Sequence, residues 1–251
     1  DAIDIRRKLA DLFETASLPG VPADEQRRML SVLVVGGGQN GLSVAARLKQ
    51  LKIDTLVVDK YPRIGDNWRV RYHSLALHNQ VHVNDLPYMP FPPTYPKYVP
   101  KDMLGNWLEM YAEAMELNCW AGTELTKGSF DSSTKRWTVT LKRADGSERV
   151  MHPRHVIFSN GTSGIARVPD LPGLKDFAGE KFHSHGFKSG VAWRGKKALV
   201  LGTGNSGHDI AQDLYSNGAD TSIIQRGSTT VVSIDPSAKL NYALYEEGPS
   251  V

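Results

Sequence analysis

The string "SVLVVGGGQNGLSVAARL" at residues 31–48 sets Gly36, Gly38 and Gly41 between an apolar run and an amphipathic stretch. Glycines at this G-x-G-x-x-G spacing hold phosphate rather than break bonds. The first permits a tight turn, the second lets backbone approach a pyrophosphate, and the third lets a helix pack close to the preceding strand. The helix start contributes free N–H groups and partial positive charge. Gln39 and Asn40 lie inside the turn. Asp59, 18 residues past Gly41 and followed by Lys60, ends the next apolar run, where a carboxylate can accept from ribose hydroxyls. A plain tight turn with a surface aspartate is the simpler alternative, and the strand–turn–helix–strand–acid order argues against it.

The pattern recurs in "KKALVLGTGNSGHDIAQDL" at 196–214, through Gly202, Gly204 and Gly207 with Asn205 and Ser206 in the turn. Its second apolar run does not end in an acid. It ends in Gln225-Arg226-Gly227-Ser228-Thr229, and a cation with hydroxyls at that place suits a 2′-phosphate. Arg226 and Thr229 therefore point to NADPH rather than NADH, with a solvated surface arginine as the competing reading. Two such units imply two dinucleotides, and flavin plus nicotinamide is the commonest pair.

These residues need elements to hold them. The run Ser31–Val35 and "IDTLVVDK" (53–60) read as strands buried on both faces, and Leu42, Ala45, Ala46 and Leu48 mark a helix between them. Residues 3–16 place Ile5, Leu9, Leu12, Phe13 and Ala16 on one helical face. Residues 61–100, rich in Pro, His and aromatics, read as a long functional loop. Asp102 is expected to cap a helix with Met103, Leu104, Trp107, Leu108, Tyr111 and Met115 facing inward. "RWTVTLKRADGSERVM" (136–151) reads as a hairpin turning at Asp145-Gly146, and "HVIFSNG" (155–161) as another strand. The expected class is α/β, with two Rossmann-like units of three-layer ββα type, the second incomplete. The division runs as a helical lead-in (1–30), an FAD-binding domain (31–168), a linker (169–194) and part of an NADPH-binding domain (195–251).

Composition sets the bounds. The 251 residues carry 40% hydrophobic and 23% charged side chains and a net charge of +3, without a dense basic run for nucleic acid. No apolar stretch approaches the roughly 20 residues of a membrane span, and the charged start does not read as a signal peptide. The single cysteine, Cys119, excludes an internal disulfide, a CxxC pair and a structural zinc site, and the cytosol is the default compartment. Metal pairs at His183/His185 or His78/His82 lack a third ligand at fitting spacing. Gly204-Asn205-Ser206-Gly207-His208 fails the hydrolase G-x-S-x-G because His208 stands where the last glycine belongs. Cys119, on the tail of the 103–115 helix, reads as a core or edge residue. Tyr88, Phe91, Tyr95 and Tyr98 suit either a substrate lid or loop packing.

"FAGEKFHSHGF" fits F-x-G-x-x-x-H-x-x-x-F through Phe177, Gly179, His183 and Phe187. Here the chain resembles the class B flavin-dependent monooxygenases. Phe187, where Baeyer–Villiger relatives usually have Trp, points to the flavin-containing monooxygenase branch. "LHNQVHVNDLPYMPFPPTYPKYVPKD" (77–102) and "GKKALVLGTGNSG" (195–207) resemble the plant-type auxin-forming enzymes and their fungal and bacterial relatives. The resemblance implies FAD and NADPH as cofactors and a small organic substrate that receives one oxygen of O2 through a C4a-hydroperoxyflavin. It adds Asn67 and Trp68, in a G-G-x-W element whose second glycine is here Asp66, and His78 as a flavin-side polar group and the one catalytic candidate. His183 is expected to link domains structurally. The partners it implies are substrate and O2, with a homodimer as the assembly considered. Family members return after the NADPH domain to complete the FAD domain, so a chain stopping at Val251 reads as a fragment or a remnant. The rival readings are a non-catalytic nucleotide-binding remnant, an NADPH oxidase or reductase without oxygenation, and a disulfide reductase, which the lack of CxxC opposes.

Overall fold

The structure is a computed structural model that describes residues 30–162 and 164–237. The expected helix over 3–16 and the tail beyond 237 lie outside the described residues. The rest groups into two units: residues 30–67, 86–89 and 104–162, and residues 68–85, 90–103 and 164–237. The division read from the sequence instead runs the first domain unbroken from 31 to 168.

In the first unit, β1 (Val32–Val35) is a run of aliphatic residues with no polar side chain to expose on either face. It lies in a parallel sheet between β2 (Thr55–Val58) and β7 (His155–Phe158), with the two-residue β3 (Cys119–Trp120) beyond β2. Val32 pairs with Thr55 on one side and His155 on the other. Alternate residues then face opposite layers. Val32, Val34 and Val57 pack with Ala45 and Leu48 of α1 (Gln39–Gln50). Leu33, Leu56 and Val58 pack with Val139 and Leu141 of β5 (Arg136–Arg143). That strand is central in an antiparallel sheet with β4 (Thr123–Asp131) and β6 (Glu148–Met151). The layers are antiparallel sheet, parallel sheet and helix, the ββα order expected.

Several expectations change. The hairpin at 136–151 forms, turning through Gly146 at φ +84°, but it has a third strand. β4 was not legible because "TELTKGSFD" buries only Thr123, so neither hydrophobic periodicity nor β-propensity marks it. Pairing with β5 makes it a strand. Cys119 opens β3 rather than ending a helix, its thiol pushed up to about 11 by burial and by the nearby Asp59 charge. The short helix α2 (Asp66–Arg69) precedes the irregular segment. The helix expected from Asp102 is α3 (Lys101–Ala114). Asp102 sits inside its first turn, accepting from Lys101 Nζ at 2.7 Å, because Pro100 ends the preceding extended segment one residue earlier. Leu104, Trp107, Leu108 and Tyr111 are buried as expected, whereas Met115 follows the helix.

In the second unit, β8 (Lys197–Leu201) and β9 (Asp220–Ile224) pair in parallel around α4 (Asn205–Ser216). Ile210 and Leu214 of α4 pack with Tyr72, Leu75 and Phe187, with Ala198 and Val200 of β8 against them. The segment between α2 and α3 is irregular, as expected, but it supplies core residues: Tyr72, Leu75, Leu77 and Val99 are buried.

Candidate functional site

Each unit contains one of the two glycine turns expected from the sequence. In the first, Gly36 has φ +110°, a region that side-chain-bearing residues rarely adopt. A Cβ on Gly41 would stand 1.9 Å from Gly36 O, so only glycine lets α1 start this close to β1. Gly38 caps α1 with extended backbone and no side-chain acceptor, and the first turn holds no acid. Its N–H groups are thus aimed at the turn without a carboxylate to neutralise them.

Asp59 follows β2 and anchors the turn from the opposite side. One carboxylate oxygen accepts from Gly37 N–H at 2.7 Å and the other from Tyr61 N–H at 2.9 Å. Those bonds fix the carboxylate and leave lone pairs for a ligand hydroxyl. Asn67 brings its side-chain nitrogen to 3.3 Å from where a Gly38 Cβ would stand, so it belongs to the same turn. Gln39 opens α1 and Asn40 is exposed beside it. Lys60 points elsewhere, its ammonium 5.4 Å from the Tyr61 ring centre. Asp66, at the family's second-glycine position, is the first residue of α2 and is not among the positive-φ residues, so the substitution carries no backbone strain. Gly65 before it has φ +88°.

The second turn repeats the device. Gly202 has φ +107°, Gly204 caps α4 in extended conformation without a side-chain acceptor, and a Cβ on Gly207 would meet Gly202 O. Asn205 and Ser206 open α4. Arg226 lies two residues past β9, exposed, with no ion pair to another described residue. Thr229 returns to the turn and shares a hydroxyl–hydroxyl hydrogen bond with Thr203.

Trp68, Tyr72 and His78 also belong to the second unit. Trp68 packs against the Tyr72–Phe187–Ile210 cluster. His78 Nε2 lies 2.9 Å from Asp209 Oδ2 of α4, and the Tyr72 hydroxyl donates to the same oxygen at 2.7 Å. The bond to Asp209 raises His78 above its ordinary value, against the pull of burial. Burial acts to raise Asp209, but the bonds from His78 and Tyr72 outweigh it and hold the carboxylate below its usual range. Burial and the Asp209 bond push Tyr72 up to about 12. Sequence reasoning missed the pairing of Tyr72 with Asp209 because 137 residues separate them, and Asp209, though inside the second glycine-turn string, is not one of its phosphate-facing positions.

The fingerprint string acts locally. Phe187 is buried against Tyr72, and His183 Nδ1 accepts from His185 N–H to start a single 3-10 turn. In the aromatic run, Tyr88 lies under Arg47, Phe91 packs against Tyr95, and Tyr98 donates to Asp235.

The family model described as flavin-binding monooxygenase-like matches residues 30–242. The chain belongs to this family. Among relatives, indole-3-pyruvate monooxygenase YUCCA1 of Oryza sativa subsp. japonica is 36% identical over 214 residues, covering 84% of this chain and 52% of that protein. The chain thus spans about half the length of the curated relatives it matches. Among solved structures, a flavin-containing monooxygenase from Stenotrophomonas maltophilia superposes with TM-score 0.73 at 27% identity, over 82% of this chain and 60% of that one. The bacillithiol disulfide reductase Bdr of Bacillus cereus shares the fold, with TM-score 0.71 at 20% identity over 86% of this chain and 65% of that one. The fold is thus shared by proteins whose names give different activities. No helix among its described residues is long and apolar enough to cross a membrane.

Proposed function

We propose that this chain is the dinucleotide-binding part of an FAD-dependent, NADPH-using monooxygenase that places one oxygen atom of O2 on a small organic substrate. The carrying observation is the contrast between two glycine turns of the same build: Asp59 stands after the second strand of one and Arg226 after that of the other. A carboxylate suits ribose hydroxyls, and a guanidinium suits a 2′-phosphate.

The first turn would hold FAD. Gly36, Gly38 and Gly41 admit its pyrophosphate, the N–H groups at Gln39 and Asn40 face it, and Asp59 takes ribose hydroxyls. Lys60, Asn67 and Trp68 complete the assigned set. The second turn would hold NADPH through Gly202, Gly204, Asn205, Ser206 and Gly207, with Arg226 and Thr229 on the 2′-phosphate. Bound FAD would supply the redox chemistry, accepting hydride from NADPH and passing electrons to O2. The protein's part is to bind, orient and exclude water, with His78 the polar group on the flavin side, its Nε2 proton held by Asp209.

Support for the substrate class comes from the name of the rice relative, so indole-3-pyruvate heads the substrates to assay, before amines, sulfides and ketones. We infer a cytosolic setting from the lone cysteine, whose thiol is held protonated. A homodimer is the assembly to test by sedimentation.

The deciding experiment is the visible spectrum of the purified chain, before and after anaerobic NADPH. A flavin spectrum that bleaches supports both assignments. A colourless protein that cannot be loaded with FAD overturns the reading for this chain and leaves its motifs as marks of descent.

A further inference from the structure

One hydrogen-bonded chain of side chains runs from the start of α4 to His78. Ser206, in the first turn of α4, acts on the Tyr72 hydroxyl and lowers it, opposing burial and Asp209. Tyr72 donates to Asp209 Oδ2, and the same oxygen holds His78 Nε2. Two donors on one carboxylate oxygen compete, so a change in either is felt by the other. The charged groups around the chain are few among the described residues. Arg71 acts on Tyr72, His208 acts on Asp209, and Asp209 is the charge acting on His78. Asp235, bonded to Gln80 close by in sequence, is taken up by Lys97 and Tyr98.

We propose that Tyr72 and Asp209 form a relay that couples the Ser206 hydroxyl, at the second glycine turn, to the protonation of His78. Asp209 is the positioning residue, fixing the His78 ring and its proton. Tyr72 sets how much of Oδ2 is left for His78. When Ser206 donates to Tyr72, it strengthens the Tyr72 bond to Asp209 and weakens the hold on His78. When a phosphate oxygen takes the Ser206 hydroxyl instead, Tyr72 becomes a weaker donor, Asp209 turns to His78, and the imidazolium is held more tightly. Linkage is reciprocal, so protonation of His78 must tighten phosphate binding by the same factor. Only this last step rests on the reading of Ser206 as a phosphate contact.

Histidine NMR titration of the ligand-free chain tests the relay. Tyr72→Phe frees Oδ2 for His78 and is expected to move its titration to higher pH. Ser206→Ala, at a less buried site, should move it the same way by a smaller amount. Asp209→Asn should move it down, because burial then acts unopposed. A merely structural Tyr72 would not raise the His78 value, so an unchanged titration in Tyr72→Phe and Ser206→Ala, in folded variants, overturns the proposal. NADP+ is then added. The expected result is a rise in the His78 titration in the wild type that is lost in Tyr72→Phe, with affinity about fivefold tighter below the transition than above it. Binding of NADP+ without any movement of His78 overturns the phosphate step. Failure of NADP+ to bind refutes the NADPH assignment, while the ligand-free titrations still decide the relay.

Discussion

Asp59 stands one residue past the second strand of the first glycine turn and Arg226 two residues past that of the second, and the proposed separation of the two sites rests on that contrast in charge. Arg226 is exposed and unpaired among described residues, so its removal disturbs no internal bond. Arg226→Ala is expected to weaken NADPH by about tenfold or more, on the scale of a charge-assisted bond, and to leave NADH nearly unchanged. Titration calorimetry with both nucleotides checks this, and equal weakening sinks the assignment. His78 and Asp209 make a second prediction. His78 lies above its ordinary 6.5 in the folded chain, so its stabilisation is full below that value and lost as pH rises through the folded one. Asp209 lies below its ordinary 3.8, so its stabilisation is present above that value and lost as pH falls through the folded one. The pair should stabilise most in the mildly acidic window between. Urea midpoints of wild type and Asp209→Asn should differ most there and differ less once pH has passed the His78 transition, where the Tyr72 bond to Asp209 remains.

At the scale of the element, the close start of α1 on β1 decides whether the first turn exists. A methyl at Gly41 would lie 1.9 Å from the Gly36 carbonyl oxygen, a backbone atom that cannot swing away. Gly41→Ala should therefore displace the helix start, cost about 1–3 kcal/mol or more, and abolish flavin retention. Thermal denaturation and the flavin-to-protein absorbance ratio check it. The Gly37 N–H bond to Asp59 ties the turn to β2, so displacing one disturbs the other.

In the second unit, a two-stranded sheet has one face covered. Ala198 and Val200 turn to α4, while Leu199 and Leu201 of β8 are 57% and 50% exposed and Ile224, paired with Leu201, is 52% exposed. Parallel partners point the same way, so these three form one open apolar strip. Such a strip binds hydrophobic dyes and favours self-association. Anilinonaphthalene sulfonate should fluoresce with the folded chain, and Leu199→Lys should lower the signal without lowering the melting temperature. An unchanged signal would place the dye elsewhere.

The glycine spacings, the aliphatic runs and the residues that end each second strand were legible in the sequence because each is local: turn sterics and strand burial act within about ten residues. They determined the two strand–turn–helix–strand units, the ββα order of the first and the family. Tertiary structure alone decided the rest. β4 is a strand because β5 pairs with it, not through its own pattern. The irregular segment before α3 contributes to the second unit because Tyr72 and His78 meet one oxygen of Asp209. Contacts across more than a hundred residues leave no periodicity along the chain, since folding sets their distance and sequence spacing does not.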